Sequence, residues 1–452
     1  MSAVEKNCIC IDLEKQIGPI RIMNAVNNGP SKARSDQTKS NFDDFAALEI
    51  PYARLHDSAH CGAYGGHHTV DITGIFPDFD KDADDPANYD FTLTDEFLDT
   101  LRRAGTEPFY RLGQSIEHWI KKYGVHPPKD FHKWAVICEH IIRHYNEGWA
   151  NGFQWNIQYW EIWNEPDCTP TPDGRQGPTW TGTVPQFCEF FTEVVLHLKK
   201  CFPKLKIGGP SLGWNLEIGE QVLKHCREHN AQLDFFSWHF YGVNVEPMAE
   251  KAEKVRALMT KYGYGDAESI LNEWNYVRGW SDEWLYSLDC ESGSRNYKGA
   301  AFIAAAMSIM QHTSLDMLMF YDARVGCAMN NLFDLVSLEP LRGYYPFVAW
   351  AKLRRLGTEV AVDKGDQADI YATAAVGKDG SFGLLVTRYN NNDDVTAAKI
   401  VTIQIPEKLR GKKLICHLTD PIKMYTEIFP KVADDGTFKV KMKPNSFIYI
   451  EL

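Results

Sequence analysis

Two glutamates in this chain close apolar runs that end abruptly. Glu165 lies in Tyr159-Trp160-Glu161-Ile162-Trp163-Asn164-Glu165-Pro166-Asp167, and Glu273 in Ser269-Ile270-Leu271-Asn272-Glu273-Trp274-Asn275-Tyr276. Each run is a short strand pattern ending in Asn-Glu beside an aromatic, and Pro166 stops the first from continuing. A strand-end carboxyl ringed by Trp160 and Trp163 is desolvated, which raises its pKa toward what a general acid needs near neutrality. Two such carboxyls suggest paired-carboxylate chemistry. Glycoside hydrolysis needs that pair: one carboxyl protonates the leaving oxygen while the other attacks or activates water. A separation of about 5–5.5 Å gives retention, and a wider gap gives inversion.

Other polar and aromatic residues fall at predicted strand ends: Asn27, Arg54, His56, Arg111, Gln114, Ser211, His239, Tyr241, Tyr321 and Asp322. The loop from His56 through Asp57, Ser58, His60 and Cys61 to His67 and His68 carries possible metal-ligand types, but its spacing matches no standard zinc pattern. Ligand contacts from His56, and from His67 or His68, are the preferred reading, with no metal and no cofactor. Asp78, Asp80, Asp82, Asp84 and Asp85 alternate like calcium ligands but lack the mid-loop glycine and closing glutamate, so a solvated acidic loop is expected. Trp119, Trp180, Trp214, Trp280 and Trp284 are candidate sugar platforms, one or two of them serving while the rest pack. The insertion from Pro170 to Gly182 is placed to wall one end of a cleft.

The elements that must position these residues alternate as strand and helix from about residue 17 to 350. Strands are expected at Arg21–Val26, Ala53–His56, Pro108–Leu112, Gln158–Trp163, Lys206–Gly209, Phe235–His239, Ser269–Leu271 and Met317–Tyr321. Amphipathic helices lie between them, among them Lys129–Asn146, Val184–Cys201 and Leu216–Glu228. Eight such units predict an α/β fold, a (β/α)8 TIM barrel over residues 15–355, whose active site would gather at the C-terminal strand ends. A doubly wound sheet is the rival, but no glycine-rich fingerprint follows the first strand. Residues 356–452 change to alternating apolar and polar strands with turns at Lys378-Asp379-Gly380 and Asp434-Asp435-Gly436. They predict an accessory antiparallel β-sandwich, joined by an N-terminal strand within residues 1–14.

Composition narrows the partners. A net charge of −12 over 452 residues argues against nucleic acid and anionic membranes, both of which reward basic patches. It suits a neutral ligand and general solubility. Homo-oligomerisation is left open. The eleven cysteines include no C-x-x-C pair and read as small buried hydrophobes, Cys8 and Cys10 among them, in a reducing compartment. The start lacks the regions of a secretory signal, so a cytoplasmic location is expected unless a signal has been removed.

These features together resemble clan A of the glycoside hydrolases, and within it glycoside hydrolase family 39, which holds β-xylosidases and α-L-iduronidases. The resemblance rests on Ile162-Trp163-Asn164-Glu165-Pro166-Asp167 and on Asn88-Tyr89-Asp90-Phe91 through Asp95, Leu101, Gly105 and Pro108. It extends over the barrel and the β-domain. It implies a retaining double displacement with Glu165 as acid/base and Glu273 as nucleophile. It further implies that Asn164 binds the substrate 2-hydroxyl, that Arg54 keeps Glu273 ionised, and that His239 and Tyr241 orient the nucleophile. The sequence departs from the family at Asn272 and Trp274 flanking Glu273, and at Tyr321 where many clan members have Trp. The activity it implies is exo-hydrolysis of β-xylosides or a related glycoside, with a plant-type oligosaccharide or glycoside as the carbohydrate substrate. The alternatives are an arabinosidase, galactosidase or glucosidase, a metal-dependent hydrolase, and a non-catalytic carbohydrate-binding protein on a degenerate barrel.

Overall fold

The computed structural model describes residues 8–32, 39–58, 69–115, 124–168, 179–279, 288, 291–327 and 329–452. The first strand, β1 (Cys8–Pro19), precedes eight parallel strands that close on themselves: β2 (Ile22–Asn27), β3 (Tyr52–Arg54), β4 (Glu107–Leu112), β5 (Tyr159–Ile162), β6 (Lys206–Leu212), β7 (Phe235–Gly242), β8 (Glu268–Tyr276) and β9 (Met317–Phe320). The expected TIM barrel is therefore present, with β9 pairing back on β2. Each of the eight predicted strands is found, shifted at its ends by a few residues.

Inside the barrel the side chains form layers. Ala25, Phe109, Tyr159, Phe235, Ile270, Met317 and Met319 make an apolar plug. One pleat further along the strands, two residues on, the inward positions turn polar: Asn27, Glu161 and Ser237. Period-2 alternation thus sets the floor of the site directly on the plug. Trp160 points the other way, stacking on Tyr110 with centroids 4.9 Å apart in the helix layer. Trp163 likewise packs against Trp180 and Phe190. Neither indole rings Glu165, which corrects that part of the sequence reading. Strand alternation places residue 160 outward.

The accessory sheet adds β10 (Thr358–Asp363), β11 (Ile370–Val376), β12 (Phe382–Arg388), β13 (Lys399–Gln404), β14 (Ile415–Thr419), β15 (Thr426–Ile428), β16 (Thr437–Met442) and β17 (Ser446–Glu451). With β1 they form a nine-stranded sheet in the order β15-β14-β17-β12-β11-β10-β1-β13-β16. Its pairing is mixed, because β1 runs parallel to β13. The last two strands, β16 and β17, are separated where Asn445 takes a positive φ of 57°. On β12, Leu384 and Val386 fill the sheet's own core while Leu385 joins the core shared with the barrel helices. The alanine-rich helix Tyr297–Met310 is buried nearly all round, as expected of a helix caught between barrel and sheet. Cys8 and Cys10 are only half-buried, contrary to expectation, and none of the nine described cysteines is in a disulfide.

Candidate active site

The mouth of the barrel is built from backbone conformations that ordinary side chains avoid. Asn28, Asp57, Trp163, Glu165 and Ser211, each just past or near the end of a barrel strand, all have positive φ. For a residue as bulky as Trp163 (φ 70°) such a conformation costs on the order of 1–3 kcal/mol and persists only where surroundings over-determine it. Here they do. Trp163 N–H donates to Leu112 O at 2.8 Å, its indole donates to Thr179 O at 3.1 Å, and Glu165 N–H donates to Ser211 O at 2.8 Å. Two left-handed residues flanking Asn164 swing both polar side chains over the barrel axis.

Glu273 reaches the same point by another device. The register between β7 and β8 shifts between Trp238/Leu271 and His239/Glu273, so Asn272 is an extra residue. With Ile270 facing inward, simple alternation would send Glu273 outward; the bulge lets both Asn272 and Glu273 face in. Asn272 then donates to Glu161 Oε1 at 2.5 Å.

Arg54 is the hub. Fully buried, its guanidinium donates from Nε to Glu161 Oε2 at 2.5 Å and from one terminal nitrogen to Glu273 Oε1 at 2.6 Å and Asn27 Oδ1 at 3.1 Å. The other terminal nitrogen donates to Asn164 Oδ1 at 2.6 Å and Ser211 Oγ at 2.7 Å. One planar fork thus locks side chains from several strands, which the compact ammonium of lysine cannot do. Glu161 is the member that sequence reading missed. Its signal was a carboxylate at an inward position of a buried strand, which requires a cation within the barrel.

The two carboxyls share an imidazole. His239 Nδ1 lies 2.7 Å from Glu165 Oε1 and 3.5 Å from Glu273 Oε2, and Nε2 lies 2.6 Å from Ser211 Oγ. Burial pushes the imidazole down to about 4, so the ring is neutral at pH 7. Glu165 is pushed up to about 7, first by burial and then by the nearby Asp167. Burial also raises Glu273, opposed by His239, by Arg54 and by the Tyr241 hydroxyl, which donates to Oε2 at 2.8 Å. One oxygen of each glutamate and one His239 nitrogen all lie within 4.8 Å of one another. A divalent ion could span such a triad, but the Arg54 guanidinium on Glu273 places a positive charge beside it and opposes a second cation.

The remaining candidates surround this centre. The Asn164 amide nitrogen is buried and, among the described residues, has no hydrogen-bond partner. His56 is buried, with Nε2 3.9 Å from Glu273 Oε1 and Nδ1 likewise unpartnered. Burial holds its imidazole well below the usual range. Tyr321 is one step removed: its hydroxyl donates to Asp57 Oδ2 at 3.0 Å. Arg111 is turned to Asp71, at 2.8 Å, rather than to the carboxyl pair. Trp180 is buried in the aromatic core, whereas Trp214 is exposed at the mouth. His60, Cys61, His67, His68, Trp119, Trp280, Trp284 and most of the insertion after Glu165 lie outside the described residues. Among those described, no helix is long and apolar enough to cross a membrane.

The family model for glycosyl hydrolases family 39 matches residues 58–311. A β-xylosidase from Geobacillus stearothermophilus is 25% identical over 243 residues, 46% of this chain and 46% of that protein. The match thus spans less than half the length of that relative. Among solved structures, a glucosidase from Croceicoccus marinus superposes with a TM-score of 0.77 at 21% identity, covering 98% of both chains. A monomeric β-xylosidase from Caulobacter crescentus has a TM-score of 0.69 at 15% identity, covering 98% of this chain and 99% of that one. At these identities the structural likeness speaks for the fold alone.

Proposed function

This chain belongs to glycosyl hydrolases family 39, and on that premise we propose that it is a retaining, exo-acting glycosidase of the β-xylosidase type. Glu165 is the acid/base and Glu273 the nucleophile. The observation that carries the reading is the carboxyl pair, with oxygens within 4.8 Å of each other. That approach suits the short separation of retaining enzymes and leaves little room for the intervening water of inversion.

The surroundings divide the labour. The two carboxyls titrate as a coupled pair, and Arg54 sits on Glu273 alone, so the shared proton rests on Glu165. In the first step Glu273 forms a bond to the anomeric carbon while the glycosidic C–O bond breaks. The leaving oxygen takes the Glu165 proton. In the second, Glu165, now ionised, removes a proton from water, whose oxygen displaces Glu273 and frees the sugar. The free Asn164 amide donates to the sugar 2-hydroxyl, a contact that strengthens as positive charge develops on the ring. His56 supplies a further polar edge at the same level. Tyr241 holds Glu273 in line, while the neutral His239 is hydrogen-bonded to Glu165 and lies 3.5 Å from Glu273.

The β-xyloside preference is supported by the β-xylosidase relative, and the glucosidase likeness keeps β-glucosides in the comparison. A panel of aryl β-xylosides, arabinosides, galactosides and glucosides, with product stereochemistry followed by NMR, tests the whole proposal. Xyloside as the best substrate with a β-anomer as first product is expected. An α-anomer as first product from a β-substrate would overturn the retaining mechanism.

A further inference from the structure

The turn that joins β6 to the helix Leu216–Glu228 is gripped by two opposite charges that the chemistry above does not use. Asp167, buried two residues beyond Glu165, accepts the Gly213 N–H at 2.8 Å through Oδ1. Its Oδ2 accepts the N–H groups of Trp214 at 2.6 Å and Asn215 at 2.7 Å. On the other side of the same peptide unit, Lys251 donates to Gly213 O at 3.1 Å and to His239 O at 2.8 Å. A Cβ on Gly213 would lie 3.2 Å from Glu165 Oε1 and 3.4 Å from Asp167 Oδ1, so this backbone lies directly against the acid/base carboxyl.

Trp214 follows this clamped glycine. It is 48% exposed although its backbone is held by a buried carboxylate. Its ring centroid is 6.3 Å from that of Tyr241, whose hydroxyl contacts Glu273. The indole also hydrogen-bonds Cys168, whose thiol lies 3.4 Å from Glu165 Oε2. A large flat apolar face is thus fixed at the rim, on the side of the proton donor.

We propose that Trp214 is the aromatic platform for the ring of the leaving group, a pyranose or aryl aglycone, and that Asp167 is the positioning residue holding it beside Glu165. The inference rests on reading Glu165 as the acid/base. The group that receives its proton must lie on its side of the cleft, where the indole lies. A pyranose presents an apolar C–H face, and an indole offers it a large rigid surface at little entropic cost. Asp167 would act on the carboxyl as well, since its charge is second to burial in raising Glu165. The other groups around Glu165 are His239 from β7, Arg54 from β3 with Asp57 beyond it, Glu273 from β8, Lys251 from Glu246–Lys261, and Cys168 in its own segment.

The test compares kcat/KM on a β-linked disaccharide, an aryl glycoside and a methyl glycoside of the preferred sugar. Trp214→Ala is expected to lose roughly tenfold more on the two substrates with ring leaving groups than on the methyl glycoside, a differential of about 1.4 kcal/mol. Asp167→Asn is expected to reproduce that selective loss and to move the basic limb of the pH profile downward. Equal losses on all three substrates in Trp214→Ala would overturn the platform. An unmoved basic limb and unchanged selectivity in a folded Asp167→Asn would overturn the positioning role. The underlying reading fails separately, if Glu165→Ala keeps wild-type rates on the methyl glycoside.

Discussion

Replacing Arg54 with Met tests the architecture most severely. The substitution removes the cation that lies 2.5 Å from Glu161 and 2.6 Å from Glu273, and it strips Asn164 and Ser211 of a donor. Breaking a buried ion pair from one side costs about 3–5 kcal/mol, because the partner charge stays buried. With an unfolding entropy of roughly 2.1 cal/mol/K per residue, 452 residues turn that cost into a fall in Tm of about 3–5 °C. The protein should fold and lose activity. Without the guanidinium, nothing but His239 and the Tyr241 hydroxyl opposes the upward push of burial on Glu273, so its carboxyl rises further and the acid limb of kcat/KM moves to higher pH. Linkage fixes the sign of the stability effect. A carboxyl whose folded pKa is raised binds its proton more tightly in the folded state. Its favourable contribution is complete below the unfolded pKa and is lost as pH rises through the folded value. The Tm deficit of Arg54→Met should therefore be larger at pH 8 than at pH 5. Calorimetry at both pH values, with a pH–rate profile on an aryl glycoside, measures each part. A Tm deficit that is absent, or independent of pH, together with an unmoved acid limb would refute the hub.

Two further outcomes follow from the geometry around Glu165. Because its carboxyl is pushed up to about 7 and must carry a proton to act as acid, kcat/KM should fall as pH rises through about 7. In Glu165→Ala the rate on a glycoside with a very good leaving group should lose that basic limb; a limb left in place would assign it to another residue. Gly213→Ala puts a methyl 3.2 Å from Glu165 Oε1, and a shift of a few tenths of an ångström in the donor should lower kcat about tenfold with Tm nearly unchanged. Wild-type kcat on a poor leaving group in that variant would mean the carboxyl has slack that the structure does not show.

How much of this was legible in the chain differs between strands and contacts. The eight barrel strands could be read because each is a short apolar run bounded by turn residues and separated by helical periodicity. The strand β10 was missed although Gly357 and Lys364-Gly365-Asp366 bound it, because Thr358–Asp363 is short and half of its pairing is with β1, far away in sequence. Within the site, Glu165 and Glu273 stood out because Asn-Glu closes each run. Glu161 sits in the same motif but has no flanking cue, and its meaning depends on a guanidinium from β3. The inward turn of Glu273 depends on a bulge opposite His239, which a sequence pattern of period 2 conceals.

The asymmetry between the two glutamates is a property of the barrel rather than of either motif. Both end their runs in Asn-Glu, and burial raises both. What separates them is which neighbour each strand position meets. β8 presents its glutamate to the Arg54 fork and the Tyr241 hydroxyl, both donors that stabilise negative charge. The end of β5 presents its glutamate to a neutral imidazole and to the Asp167 carboxylate, which stabilise the proton. Asp167 in turn accepts three backbone N–H groups of the β6 turn. On the proposed assignment, the acid is the carboxyl that burial and the neighbouring Asp167 raise, and the nucleophile is the one that meets an arginine shared with Glu161. Exchanging the two side chains' surroundings, not their identities, would exchange their roles.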